Sequence, residues 1–294
     1  RNGSQLADMN AMAEAGAAAF TDDGSCVPDK DLMRDAMIRC KELNITLMDH
    51  SLDPDMAGNG CMRSGPTAEK LGLQGIPAEA ETSIVERNIE LARETGCRIH
   101  IQHVSCAKSV QLIKSARKEG LPVSGEATPH HMIFADKDIP STDHTDYKMN
   151  PPLGTREDQQ ELLHGIEENT ISAFATDHAP HTAESKNKGF PDAPFGVIGL
   201  ETALAATYTC TVKDNKMSLT DWVSRWTTGP AEILGQPAPS LAEGQPANIA
   251  IFDPSTEWTV SAQDFCSLSS NSPFTGMRLS GKVVHTFFNG RKVF

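Results

Sequence analysis

The segment Ile171-Ser-Ala-Phe-Ala-Thr-Asp-His-Ala-Pro-His181 changes character halfway along. Its first five residues are apolar or small, as a strand buried on both faces requires. An acid, two histidines and a proline follow within five positions. A carboxylate and imidazoles placed where a buried strand surfaces are costly unless something partners them. Taken alone, the segment reads equally well as a strand end with a capping Asp and exposed histidines. The pattern recurs along the chain, and recurrence turns the reading toward chemistry.

Four further apolar runs end in the same way. Ala17–Phe20 leads into Thr21-Asp-Asp-Gly24, and Ile45–Met48 into Asp49-His50. Arg98–His103 leads into Val104-Ser105, and Pro122–Ala127 into Thr128-Pro-His-His131. The groups available at these ends are Asp23, His50, His103, His130, His131, Asp177, His178 and His181. Asp23, His50, His103 and Asp177, arriving from four strands, form a donor set for a hard-to-borderline divalent ion, Zn²⁺ first among them. A catalytic zinc site keeps about three protein ligands and an open position, where water ionises near pH 7. Plainer roles compete. Asp23 before Gly24 suits an Asx turn, His50 a core histidine with its bonds satisfied, and Asn150 a turn residue ahead of Pro151. His130 and His131 follow Pro129 past a strand end and read as structural. His100 and His103 point to opposite faces at strand spacing, and His103, at the strand end, is the better ligand.

These ends need a scaffold that delivers them to one place. Helical patterns separate the apolar runs: Asp31–Leu43; Ala80–Thr95, opened by Pro77; Ala107–Glu119, stopped by Gly120; and Glu157–Glu168. Strand–helix alternation with polar groups always at the strand C-terminus describes a (β/α)₈ barrel, an α/β fold whose C-terminal rim carries the chemistry. A doubly wound dinucleotide-binding sheet would want Gly-x-Gly-x-x-Gly after a strand, and the chain has none. Five barrel strands can be picked out where eight are required, so three βα units are expected ahead of Arg1. The mid-helix character of Leu6, Met9 and Met12 agrees with that. Beyond a rim loop at His181–Phe195, helices are expected at Leu200–Thr211, Leu219–Thr227 and Pro230–Leu234. From about Leu241 the pattern switches to short alternating strands at 244–253, 257–260 and 281–294, with a turn at Asn289-Gly290. Residues 1–240 are therefore expected to form the barrel portion. Residues 241–294 would form a β unit too small to stand alone, packed on the barrel.

A net charge of −13 argues against nucleic acid as a partner, since that needs a basic face. No apolar run approaches the roughly 18 residues of a membrane span. A small anionic substrate remains compatible, because a local site can be positive on an acidic protein. The seven cysteines are odd in number, widely spaced and without Cys-x-x-Cys, which suits reduced thiols in the cytoplasm.

Several stretches resemble the class I dihydroorotases of the amidohydrolase superfamily. They are Asp177-His-Ala-Pro-His181, Met149-Asn-Pro-Pro-Leu153, Glu126-Ala-Thr-Pro-His-His131, Phe20-Thr-Asp-Asp-Gly24, and Ala193-Pro-Phe-Gly196 followed by Gly199-Leu-Glu-Thr202. Asn271-Ser-Pro-Phe-Thr-Gly276 adds looser support, and the likeness runs from about Asp8 to Phe294 in the family's order. The resemblance implies zinc-dependent, reversible cyclisation of N-carbamoyl-L-aspartate to L-dihydroorotate in pyrimidine synthesis. It casts Asp23 as the carboxylate bridging two zinc ions, and His50 and His103 as ligands of the second. Asp177 would bind the first ion and act as general acid/base. Asn150, His181 and the backbone at Phe195-Gly196 would bind substrate. A homodimer, or a complex with aspartate transcarbamoylase, is in keeping with the family.

The departures are equally specific. The family's His-x-His-x-Arg on the first barrel strand is absent, and with it the other ligands of the first ion and the arginine for the substrate carboxylate. Gly154 stands where the family usually places Arg after Asn-Pro-Pro-Leu, with Arg156 two residues on. The loop Gly60–Gly65 lacks the family's acidic residue. These 294 residues are thus expected to be the C-terminal part of such an enzyme, binding at most one ion and turning over poorly alone. Allantoinase or hydantoinase is the neighbouring alternative, although hydantoinases bridge their ions with a carboxylated lysine where this chain has Asp23. A metal-free scaffold supporting a transcarbamoylase is the second alternative. Retention of Asp23, His50, His103 and Asp177 weighs against it.

Overall fold

A computed structural model of the chain describes residues 3–294. The described residues contain ten strands: β1 (Ala19–Thr21), β2 (Thr46–Asp49), β3 (Met62–Arg63), β4 (Gly75–Ile76), β5 (Ile99–Ile101), β6 (Val123–Ala127), β7 (Ala173–Phe174), β8 (Ile249–Thr259), β9 (Arg278–Phe288) and β10 (Arg291–Lys292). Five of them form one sheet in the order β1-β2-β5-β6-β7, with every pair parallel. Met48 lies opposite both Thr21 and His100, and His100 opposite Ser124. This register carries all five C-terminal ends to the same edge. The sheet is the run of βα units that a barrel wall requires.

Each intervening helix starts and stops where local chemistry dictates. Lys30–Leu43 is capped by the Asp29 carboxylate and ends on left-handed Asn44. Glu79–Thr95 ends on left-handed Gly96, and Arg156–Glu167 opens with a Thr155/Asp158 capping box. Their apolar faces join the sheet in one core containing Met33, Met37, Leu47, Val85, Ile89, Ile99, Ile101, Ile113 and Ile171. No helix is long and apolar enough to cross a membrane among the described residues.

The expected helices and barrel strands are present with ends moved by a few residues. Four regions differ in kind. The stretch 244–253 and the stretch 257–260 are not separate strands. They merge into β8, whose register against β9 shifts between Ile251/Phe252 and Asp253/Glu257. Pro254 cannot donate to a ladder, and the bulge absorbs it while Asp253 caps Ser255 and Thr256. The helix expected over Leu200–Thr211 is α-helical only at Ala203–Tyr208 and continues as a π-helical turn over Thr209–Lys213. At the N-terminus, the expectation for Arg1 lies outside the described residues. The first described helix, Met9–Glu14, has its own cap, Asp8, so Leu6 precedes it. The small β3–β4 pair, with short helices Pro54–Ala57 and Pro66–Leu71, had no counterpart in the pattern reading because its segments are too short to show a period.

The C-terminal sheet β10-β9-β8 is antiparallel and turns at Asn289-Gly290, both with positive φ as a tight hairpin demands. Phe252 of β8 stacks between Tyr208 and Trp222, at ring-centroid distances of 5.2 and 5.0 Å, which ties this sheet to the helical layer.

Candidate metal centre

Asp23 stands two residues beyond β1, His50 directly after β2, and His103 two residues beyond β5. Their donor atoms all lie within 4.8 Å of one another. His50 Nδ1 and His103 Nε2 face each other at 3.0 Å with rings nearly perpendicular, and Asp23 Oδ1 is 3.9 and 3.6 Å from them. Two donors on one tetrahedral zinc ion sit about 3.3 Å apart, given metal–ligand distances of about 2.0–2.1 Å. The spacings fit that geometry.

The electrostatics fit it too. Burial opposes a proton on His103, but the hydrogen bond with Asp23 and the charges of Asp177 and Glu126 outweigh it and raise its pKa to about 9. His50, also buried and next to that positive ring, is pushed down to about 3. Asp23 is held below the usual carboxylate range by the His103 hydrogen bond. The cluster thus favours positive charge where two imidazoles and a carboxylate meet, the place a divalent cation would take. Asn150 supports this reading. Its Nδ2 is 3.0 Å from His50 Nε2, while its Oδ1 is buried without a partner. Turning the amide over lets Oδ1 accept from a His50 Nε2–H, which leaves the Nδ1 lone pair facing the centre.

Asp177, expected on the first ion, lies outside the Asp23–His50–His103 group. It faces the same mouth closely enough for its charge to act on His103, yet its nearest ionisable contact is His130 Nε2 at 3.8 Å. Burial raises its pKa, and Asp23 and Glu126 push it the same way against His103. His130 is 1% exposed and its Nε2 has no hydrogen bond. Its neighbour His131, by contrast, is bonded at both ring nitrogens, to Thr128 Oγ1 and the Pro151 carbonyl. The backbone marks the same places. Six non-glycine residues have positive φ among the described residues, and four are asparagines in turns or at helix ends. The other two are His103 (33°) and Asp177 (45°). Strain of roughly 1–3 kcal/mol at such residues concentrates where side chains must be aimed.

Beside the cluster lies a cavity of about 230 Å³ lined by His50, Asn150, Phe195 and Cys26 among others. The Phe195 ring carries Lys148 Nζ at 4.4 Å from its centre. Gly196 has φ 124°, and a Cβ there would meet Ala179 Cβ at 2.5 Å, so the turn requires glycine. His181 does not reach into this cavity: its Nε2 bonds the Phe195 carbonyl at 2.7 Å and holds the turn from behind. His178 accepts from Gly199 N. Arg156 is committed to Asp138, away from the mouth. Two residues that the motif reading did not single out complete the arrangement. Asn271 bridges the Ala179 and Gly196 carbonyls and accepts from His181 N. Glu126 accepts from His100 and from His103 N. Both open stretches that carry the family resemblance, which was the signal available for a role at Glu126 and Asn271.

Residues 1–109 match the family described as dihydro-orotase-like. The dihydroorotase of Geobacillus sp. (strain WCH70) is 42% identical over 293 residues, covering 100% of this chain and 68% of that protein. That of Clostridioides difficile (strain 630) is 40% identical over 292 residues, covering 99% and 69%. Among solved structures, the L-hydantoinase (dihydropyrimidinase) from Arthrobacter aurescens matches with a TM-score of 0.85 at 27% identity, over 97% of this chain and 66% of that one. The dihydropyrimidinase from Brevibacillus agri NCHU1002 gives 0.86 at 24% identity, which speaks to the fold alone. Fold and cluster together define an α/β barrel hydrolase of the amidohydrolase type, a metal-dependent class. Within that class the whole-chain identities decide between neighbours: the chain belongs to the dihydroorotase family, cyclic-amide hydrolases of pyrimidine biosynthesis. It spans about two thirds of the length of these relatives.

Proposed function

We propose that these residues carry the substrate-side half of a zinc-dependent dihydroorotase, which closes N-carbamoyl-L-aspartate to L-dihydroorotate and reopens it. The convergence of Asp23, His50 and His103 beside the cavity lined by Asn150 and Phe195 is the observation that supports this most. A divalent ion held by those three residues would supply a Lewis acid and a water acidic enough to ionise near neutral pH. Asn150 fixes the His50 ring. Asp177, with a raised pKa and aimed at the same mouth, accepts or returns the proton exchanged with the ring nitrogen. Phe195 and Gly196 present ring face and backbone to a planar substrate, and His181 and Asn271 keep that turn in place. The remaining ligands of the first ion, beside Asp23 and Asp177, and the arginine for the substrate carboxylate would come from a His-x-His-x-Arg segment outside these residues.

The same reading keeps residues 1–240 as barrel portion and 241–294 as a β unit upon it, supported by the Tyr208–Trp222–Phe252 contacts. The family suggests a homodimer or an aspartate transcarbamoylase partner, and the seven free cysteines suit a cytoplasmic protein. The test is zinc content and carbamoyl-aspartate cyclisation, measured with the chain alone and with a polypeptide supplying the missing segment. One zinc and negligible turnover alone, with turnover on complementation, is expected. Full turnover by the chain alone, or no zinc bound at all, would overturn the half-site reading.

A further inference from the structure

At the opposite end of the parallel strands lies a cavity of about 440 Å³. Thr46, Arg98, Ser124 and Ser172, at or near strand N-terminal ends, contribute to its walls, with Arg117 and Arg225 from the helical layer. Three arginines around one cavity stand out on a chain of net charge −13. The arginines that pair with carboxylates are Arg34, Arg39, Arg93, Arg156 and Arg278, and these three are not among them. Every hydrogen bond they make ends on a neutral oxygen. Arg98 bonds Thr46 Oγ1 and both oxygens of Asn44; Arg117 bonds the Asn169 and Thr170 carbonyls. Arg225, 6% exposed, makes only long bonds of 3.3 and 3.4 Å and leaves Nε unpartnered. The one acid in the lining, Glu232, is exposed.

We propose that this floor cavity is a binding site for the phosphate group of a small metabolite, held by Arg98, Arg117 and Arg225. Guanidinium groups present fixed pairs of N–H donors matched to phosphate oxygens. Arg117 spends only Nη1 on the protein, which leaves Nε and Nη2 for an anion. Ser172 and Ser224 add two hydroxyl-bearing residues to the lining. Burial and the neighbouring Arg117 charge both disfavour the Arg225 cation, against some help from Asp221, and an anion would relieve that strain. The site is independent of the metal cluster and takes a different ligand.

The test is calorimetric titration of the chain with inorganic pyrophosphate and with a nucleoside monophosphate, with backbone NMR shifts followed in parallel. Saturable binding is expected, weakened about tenfold in Arg117→Gln and Arg98→Gln, the loss associated with a charge-assisted hydrogen bond. It should survive in Asp23→Asn, which alters the mouth. Shifts should centre on Ser172, Ser224 and Thr46 in the unaltered chain, a readout that does not depend on either arginine variant folding. Absence of saturable binding by both probes, affinity in both arginine variants equal to that of the unaltered chain, loss in Asp23→Asn, or shifts confined to the mouth would each overturn the proposal.

Discussion

His100 and His103 leave the same strand three residues apart, and both are buried, at 0% and 3% exposure. Inside the sheet, His100 has both ring nitrogens filled: Nδ1 by Ser124 Oγ at 2.8 Å and Nε2 by Glu126 Oε2 at 3.0 Å. At the mouth, His103 has a buried Nδ1 with no partner and an Nε2 turned toward another imidazole. His131 and His130 repeat the contrast one strand over. Burial does not separate core from site here. What separates them is whether the protein itself completes the hydrogen bonding of a buried polar group, since folded proteins leave few such groups incomplete without a reason.

The contrast is broken most directly at the ion. His103→Ala and Asp23→Asn should reduce zinc affinity by more than about 100-fold, beyond the 10–100-fold typical of groups that only support a ligand. Metal content after dialysis against a weak chelator measures this. His103→Ala should cost comparatively little folding stability, because its Nδ1 has no partner to strand and its backbone is strained. His100→Ala should behave oppositely. It strands Glu126, a buried carboxylate whose pKa is kept low chiefly by His100 against the cost of burial. A loss of about 3 kcal/mol or more in denaturant unfolding is expected for breaking such a pair. Equal destabilisation by the two alanines would show that the two histidines do not differ in kind.

How much of this was legible in the sequence follows from the same distinction. Continuous apolar runs revealed the wall strands and a 3.6-residue period their helices, because burial on both sheet faces and on one helix face imposes those patterns. Asp23, His50 and His103 were legible because a polar residue at the end of an apolar strand is a local feature. Their convergence was an inference from parallel topology, and the register bears it out. Asp177 was equally visible, yet its distance from the cluster was not, since φ 45° aims it differently from an ordinary strand end. Pro129 suggested a turn at His130. Pro129 instead begins the short helix Pro129–Ile133, which buries His130 against Asp177. The hold of Asn271 and Lys186 on the Phe195-Gly196 turn depends on loops distant in sequence, which leave no periodic trace.

Lys186 sharpens the comparison by pH. It is 3% exposed, and its ammonium donates to the carbonyls of Gly196, Pro194 and Lys148 at 3.0, 3.1 and 3.4 Å. Burial lowers its pKa to about 8. Between about pH 8 and 10.5 the unfolded chain therefore binds more protons than the folded one, so stability should rise with pH through that window. The gain from this one group is on the order of 3 kcal/mol, fully realised above the unfolded pKa and absent below pH 8. Cys26, raised to about 12 by burial, acts in the opposite direction as pH climbs past 9. The informative quantity is consequently the difference in slope between the native chain and Lys186→Met, followed by urea unfolding from pH 7.5 to 10.5. Identical slopes would mean that the buried ammonium is as well solvated as a surface one.

Asp177→Asn is expected to have the smallest effect on metal binding and the most pointed meaning. The carboxylate lies outside the Asp23–His50–His103 group, so its only influence on an ion there is a charge acting across the mouth. At an effective dielectric appropriate to a protein surface such an interaction is modest, and a change in zinc affinity below about threefold is expected. The amide keeps the shape of the side chain and cannot carry a proton between two oxygens. In the complemented enzyme, cyclisation should consequently fall by about 100-fold or more while the zinc ion at the three-residue cluster persists. Zinc content and turnover measured on the same sample separate the two roles. Parallel loss of metal and turnover would make Asp177 a ligand of this ion and move it from the proton-transfer side of the site to the cluster itself.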